Sequence, residues 1–194
     1  MPLAQESASG PVVARLCKAI ALRAPFYRAI AADPAATGQA AAVVCLSGLI
    51  RESGFLRGSP GLEETWGLAV LVVVVLSALG WLIYGLIGFL LARLLSPGRV
   101  SLSRLLRCLG YAETVTILRV LAHAIEPRWY PLLHVVLLLW SFAALWVAVH
   151  SALEVSRARS ALVALPLFVA QQAVLQLERM AGFGIPVRAD AGIQ

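Results

Sequence analysis

The chain has 194 residues, of which 60% are hydrophobic and only 13% charged, and its mean hydropathy is +0.85. Because soluble globular proteins carry about 25% charged residues, this composition excludes an ordinary soluble domain and indicates a membrane protein. The formal charge of +6 does not indicate nucleic-acid binding, because the basic residues lie mostly between apolar segments and form no patch interleaved with aromatic residues.

The first 30 residues predict a polar start followed by an amphipathic helix. Residues 1–10 have neither a basic region nor an apolar core, so no cleavable signal peptide is expected. In residues 11–30 the apolar side chains recur at helical spacing, at Val13, Leu16, Ile20 and Tyr27. Basic residues occupy the other positions, which suits the headgroup interface of a membrane. Packing of this helix on the rest of the domain is the alternative.

Five apolar segments are predicted to cross the membrane as helices. Their bounds are about 35–50, 66–92, 108–125, 130–153 and 160–180. Residues 66–92 are the strongest, because they contain no Asp, Glu, Lys or Arg and would form a helix about 40 Å long. That length exceeds the hydrocarbon core of about 30 Å. Residues 108–125 are the weakest, because they contain Glu113, Arg119 and His123.

The predicted fold is therefore all-α, a polytopic bundle of five transmembrane helices with an N-terminal amphipathic interfacial helix. The membrane domain covers residues 11–183, and residues 184–194 form a short polar tail. With five spans, ten basic residues lie on the side of the N-terminus and five on the other side. The excess predicts a cytoplasmic N-terminus and a C-terminus on the opposite side. The Ala-, Leu- and Arg-rich composition suggests a bacterial protein, so the inner (plasma) membrane is the expected location.

One side of the second span predicts helix packing. Ser77, Gly85, Gly88 and Ala92 fall on the same face of a helix at 100° per residue. Gly88 and Ala92 form a small-xxx-small pair, and small residues let helix backbones approach closely in lipid. We expect this face to be the contact surface for neighbouring helices.

A candidate polar site lies within the spans. An ionisable group there costs about 2.5–3.5 kcal/mol on insertion scales and marks a functional hypothesis. Glu113 is the clearest case, and Gln39, Tyr84 and His150 are polar side chains at similar depth on other spans. Together they could relay protons or bind a cation, as in a small channel or transporter that uses Glu113 with Gln39 or His150. A hydrogen-bonded Glu113 that fixes helix packing is the competing interpretation.

No catalytic, cofactor-binding or metal site is predicted. The sequence contains no HExxH, no GxSxG and no phosphate-binding loop, and its three cysteines have no metal-ligand spacing. We therefore expect a non-enzymatic protein without a cofactor, acting through protein–protein interaction or membrane organisation. Its expected partners are the lipid bilayer and other membrane proteins or itself, with no nucleic acid among them.

Three short motifs resemble the Yip family, the Ypt/Rab-interacting membrane proteins and their bacterial relatives. The motifs are Phe26-Tyr27 before an Ala-rich span, Leu109-Gly110-Tyr111-Ala112, and Trp140 and Trp146 followed by Arg159-Ser160-Ala161-Leu162. The likeness runs from about Val12 to Phe183 and is closest to a bacterial-type member. It implies a five-span bundle with a cytoplasmic N-terminus.

The resemblance also implies a class of partners. Eukaryotic members of the family take part in vesicle traffic and bind small Rab-type GTPases or each other. This sequence lacks their long N-terminal region with its acidic-Leu-Tyr-Gly-Pro motif, and it has Glu113-Thr114 where a proline often follows Gly-Tyr. These departures leave small-GTPase binding with little support.

Overall fold

The computed structural model describes residues 11–53, 66–95, 101–118 and 127–178, without the side chains of Pro127 and residues 174–178. Within these ranges the chain is helical and forms no strand. The elements are α1 (Val12–Ile20), α2 (Ala24–Ala32), α3 (Ala36–Arg51), α4 (Trp66–Leu95), α5 (Leu102–Ala112), α6 (Thr114–Ile117), a 3-10 turn (Pro127–Trp129), α7 (Tyr130–Leu153) and α8 (Arg157–Glu178).

The helix predicted over residues 11–30 is divided into α1 and α2. Leu22 has a positive φ of 54°, a left-handed conformation that no helix continues through. Pro25 lies in the first turn of α2, where a missing backbone N–H costs nothing. Phe26 and Tyr27 of α2 are buried in the core. This half of the predicted amphipathic helix therefore packs inside the bundle, and an interfacial position for α1 stays a prediction.

Two of the described helices are long and apolar enough to cross a membrane, namely α4 and α7, with mean hydropathies of 2.6 and 2.3. Helices α2 and α3 pass the same test only together, as a pair bent by 119°. The described residues therefore contain two candidate spans, or three if the bent pair is one. The count of five is not confirmed, and residues 119–126 of the predicted third span lie outside the described residues.

The segment predicted as the weakest span supplies the centre of the bundle. Helix α5 begins at Leu102, earlier than predicted, and ends at Ala112. It packs against α1, α2, α3, α4 and α7, and every residue from Leu105 to Tyr111 is buried. Its neighbours supply the rest of the core, including Ile30, Val149 and Leu167. The apolar side chains of α5 therefore contact other helices of the protein and not lipid.

Helix α4 lies at the edge of the bundle. One face packs against α3, α5 and α8, whereas large apolar side chains on the other face are exposed along its whole length, among them Leu68, Leu71, Leu79, Ile83 and Leu90. Exposed apolar side chains at this density are unfavourable in water. Together with the absence of charged residues over positions 66–92, this places the outer face of α4 in hydrocarbon or against another membrane helix.

Candidate functional site

Glu113 lies between α5 and α6, at the point where the helix is interrupted. Its backbone N–H still bonds to the carbonyl of Leu109 at 3.3 Å, and its own carbonyl accepts from the N–H of Thr116 at 2.9 Å. The same carbonyl also accepts the hydroxyl of Ser47, on α3, at 3.0 Å. The hydroxyl of Thr114 donates to the carbonyl of Tyr111. These bonds satisfy backbone groups that the interrupted helix would otherwise leave unpaired.

The Glu113 carboxyl connects this break to α8. Gln171 donates its side-chain amide to Oε1 at 2.7 Å, and the Thr116 hydroxyl donates to Oε2 at 3.2 Å. Hydrogen bonds to both oxygens offset much of the free-energy cost of burying a carboxyl group inside the bundle. Glu113 therefore helps to fix α8 against the α5–α6 break.

A pocket of about 290 Å³ lies beside Glu113, between α3, α4, α5 and α8. Its polar lining consists of Ser47, Arg51, Ser77, Tyr84, Glu113 and Gln171, and most of the remaining wall is apolar. The hydroxyls of Tyr84 and Ser77 are buried without a hydrogen-bond partner among the described residues. Arg51 donates from Nε to Glu52 at 3.1 Å. The arrangement offers hydrogen bonds to a small polar group surrounded by apolar walls.

The structure brings together only part of the predicted polar site. Glu113 and Tyr84 line the pocket, whereas Gln39 and His150 are not among its described lining residues. Gln39 instead accepts two hydrogen bonds at Oε1, from Arg15 at 2.6 Å and from the Tyr111 hydroxyl at 2.7 Å, and so holds α1 against α3 and α5. These contacts do not support the channel or transporter alternative.

His150 lies on α7, with its Nδ1 atom buried and without a hydrogen-bond partner among the described residues. The carboxyl of Glu154, four residues later, bonds to Arg104 at 3.4 Å. Within the described ranges, no three His, Cys, Asp or Glu side chains lie close enough together to hold a metal ion.

Three polar residues of the pocket, Ser47, Arg51 and Gln171, were not predicted from the sequence. Ser47 and Gln171 come from α3 and α8, and both bond directly to Glu113. Gln171 is a polar residue in the middle of an apolar segment, and this was the available signal. Which helix face it occupies relative to Glu113 depends on how the helices rotate about one another, which the sequence pattern does not specify.

The predicted packing face on α4 is buried in the structure. Ser77, Gly85, Gly88 and Ala92 are all buried. A Cβ atom on Gly85 would overlap the side chain of Leu106, and one on Gly88 would lie 2.9 Å from Leu167 Cδ1. Ser77 packs against Gly48 of α3, so helices α3, α5 and α8 occupy this face.

The residues of the three short motifs pack helices together. The Phe26 ring meets the Tyr111 ring edge to face, with centroids 5.4 Å apart. Gly110 lies so close to α3 that a Cβ atom there would be 2.9 Å from the carbonyl oxygen of Ala40. Trp146 donates to the Ser160 hydroxyl at 3.0 Å and so joins α7 to α8.

Comparison with known proteins identifies the family of the chain. A family model described as the Yip1 domain matches residues 20–176, which extend from the end of α1 almost to the end of α8. No curated protein and no solved structure matches the chain. The matched range contains the motif residues, the whole lining of the pocket and the described core residues other than Ala19.

Proposed function

The chain belongs to the Yip1 domain family, and from this premise we propose a non-enzymatic integral membrane protein that acts by binding membrane proteins, itself included, or by organising the bilayer. The outer surface of α4 is the observation that supports this most. In the most apolar 18-residue window of α4 only 11% of the residues are buried inside the chain, against 28% in α7. A surface of this kind must be covered by lipid or by partner helices.

The chemistry of this surface suits lateral contacts. It carries large aliphatic side chains such as Leu79, Leu82 and Leu86, which gain van der Waals contacts from either acyl chains or a partner helix. Four small residues of α4, Ser77, Gly85, Gly88 and Ala92, are already buried within the chain. A partner would therefore pack against the aliphatic face of the helix.

We also propose an inner-membrane location, five spans and a cytoplasmic N-terminus. The ten-to-five distribution of basic residues supports this orientation. One contact agrees with it: Arg104 before the third predicted span bonds to Glu154 between the fourth and fifth, at 3.4 Å. Both residues are assigned to the cytoplasmic side, and their pairing requires a common side.

Affinity capture from native membranes tests the proposed function. The full chain with a cleavable tag is solubilised in a mild detergent, and co-purified membrane proteins are quantified against an unrelated tagged multi-span protein. We expect a specific membrane protein or an untagged second copy, together with altered membrane morphology on depletion. Recovery of neither, with unchanged morphology on depletion, would overturn the proposal.

A further inference from the structure

The pocket beside Glu113 opens sideways through the apolar face of α4. Three aliphatic side chains that line it are also exposed on the outside of the bundle: Leu76 and Ile83 at 59% and Ile87 at 40%. The polar groups lie deeper, at Ser77, Tyr84 and Glu113. A ligand in this pocket would therefore place a polar end inside and leave an apolar part against the outer face of α4.

The depth of the pocket favours an uncharged ligand over a charged lipid headgroup. Helix α4 has 30 residues, and Ser77 and Tyr84 each lie within about 5 Å of its midpoint along the axis. Because the hydrocarbon core extends about 15 Å on either side of the bilayer centre, a phosphate at this depth would be strongly disfavoured. The cation that lines the pocket, Arg51, already pairs with Glu52 at 3.1 Å. An uncharged polar end fits this environment.

One unpaired hydroxyl defines what the polar end must supply. Tyr84 lines the pocket and buries its hydroxyl without a partner among the described residues, whereas the Ser77 hydroxyl packs against Gly48 of α3. A hydroxyl in a water-poor interior requires a hydrogen-bond partner, and a carbonyl oxygen accepts from tyrosine. A volume of about 290 Å³ is at the lower limit of ligand pockets and suits one ring or a similar group.

We propose that this pocket binds the carbonyl-bearing head of an uncharged, membrane-soluble lipid of the quinone type. The head accepts a hydrogen bond from the Tyr84 hydroxyl, and the hydrocarbon tail leaves past Ile83 and Ile87 into the bilayer. Glu113 holds Gln171 at the inner wall of the pocket. This binding site goes beyond the proposed function and depends on no protein partner, so each can fail without the other.

Two glycines of α4 give a matched pair of variants. Gly80 lines the pocket, and Gly67 lies near the start of the same helix. An added Cβ meets no atom within 4 Å at either position. Gly80→Leu therefore fills the pocket mouth without a clash at the Cβ, and Gly67→Leu adds the same side chain outside it. Both changes replace glycine by leucine within the same helix.

The test uses the purified full chain in nanodiscs and decylubiquinone as the probe. Binding is read from quenching of tryptophan fluorescence, since Trp81 lines the pocket, and from the mass of the intact complex. We expect saturable binding of one quinone, weakened at least about tenfold by Gly80→Leu and unchanged by Gly67→Leu. Equal binding by these two variants, or no saturable binding by the unmodified chain, would refute the quinone site.

A second pair tests the hydrogen bond itself. Tyr84→Phe removes only the hydroxyl, and we expect it to weaken decylubiquinone binding about fivefold to tenfold. Tyr130→Phe is the control, because Tyr130 is exposed at the start of α7. This pair decides the question even if Gly80→Leu fails to fold. Unchanged affinity in Tyr84→Phe, or displacement of the quinone by phosphatidylglycerol, contradicts the proposal.

Discussion

Gly110, in the Leu109-Gly110-Tyr111-Ala112 motif, shows how a single residue allows two helices to pack closely. It allows α5 to cross α3 with almost no space between the backbones: a Cβ atom would lie 2.8 Å from the Ala40 Cβ and 2.9 Å from the Ala40 oxygen. Backbone atoms cannot move aside as a flexible side chain can. The neighbouring Tyr111 uses its ring against Phe26 and its hydroxyl against Gln39. The physical role of the motif is therefore close helix contact.

Gly110→Ala is expected to lower the free energy of unfolding by about 1–3 kcal/mol, because the added methyl group forces α5 away from α3. Gly38→Ala is the control. Gly38 is also helical but has no atom within 4 Å of an added Cβ, so alanine there should be neutral or stabilising by up to about 1 kcal/mol. Unfolding in mixed detergent micelles measures both. Equal stability of the two variants would mean that the backbones are not in contact at Gly110.

The candidate site shows what residue-level reasoning could and could not predict. Hydropathy gave the depth of Glu113 and Tyr84, and both line the pocket. Gln39 and His150 were expected at a similar depth, but they are not among the described residues that line the pocket. Depth fixes the height of a residue in the membrane but leaves its direction around the helix axis open. Helix rotation is set by packing across many residues, so Gln171 was not recognised as the partner of Glu113.

Arg107 acts at the scale of whole elements, since it ties the end of α2 to α5. It is only 7% exposed, and its Nη1 donates to the carbonyl of Ala31 at 2.7 Å. Its Nε donates to the carbonyl of Ser103 at 3.2 Å. The last carbonyls of a helix carry partial negative charge and lack intrahelical partners, so a guanidinium there is doubly favourable. Arg107 thus anchors the α2 side of the 119° bend.

We expect Arg107→Gln to lower the free energy of unfolding by about 2–3 kcal/mol, because it leaves the buried carbonyl of Ala31 without its charged donor. Arg104→Gln is the matched control one turn earlier, where the side chain is exposed and its ion pair with Glu154 is 3.4 Å long. An exposed pair contributes about 0–1 kcal/mol. The same micelle unfolding assay compares them, and an equal loss in both variants would count against the anchoring role.

Element boundaries were predictable where composition alone determines them. Helices α4 and α7 span Trp66–Leu95 and Tyr130–Leu153, close to the predicted 66–92 and 130–153, because a long charge-free run has few alternatives to a helix in lipid. Helix α5 was placed too late in the chain, because Arg104 and Arg107 resemble a basic loop. Charge patterning cannot distinguish an arginine in a loop from one buried against a helix end.

At the scale of the whole molecule, orientation in the membrane is the first testable property. A reporter fused after Gln194 should behave as non-cytoplasmic, and one fused before Met1 as cytoplasmic, because basic residues favour the N-terminal side by ten to five. Alkaline phosphatase and fluorescent-protein fusions measure this in cells. A cytoplasmic reporter at both ends would require an even number of spans and would contradict the five-span arrangement.

The exposed face of α4 is where the proposed function can be tested most directly. A photo-crosslinking amino acid at Leu82, on this face, is compared in living cells with the same amino acid at Leu162 of α8. Both leucines are exposed, at 46% and 59%. We predict a discrete protein adduct at Leu82, formed with a partner membrane protein or with a second copy of the chain. Altered membrane morphology when Leu82 and Leu86 are both replaced by alanine is the alternative result that we expect. Lipid adducts alone at Leu82, with normal morphology in the double variant, would contradict the proposed function.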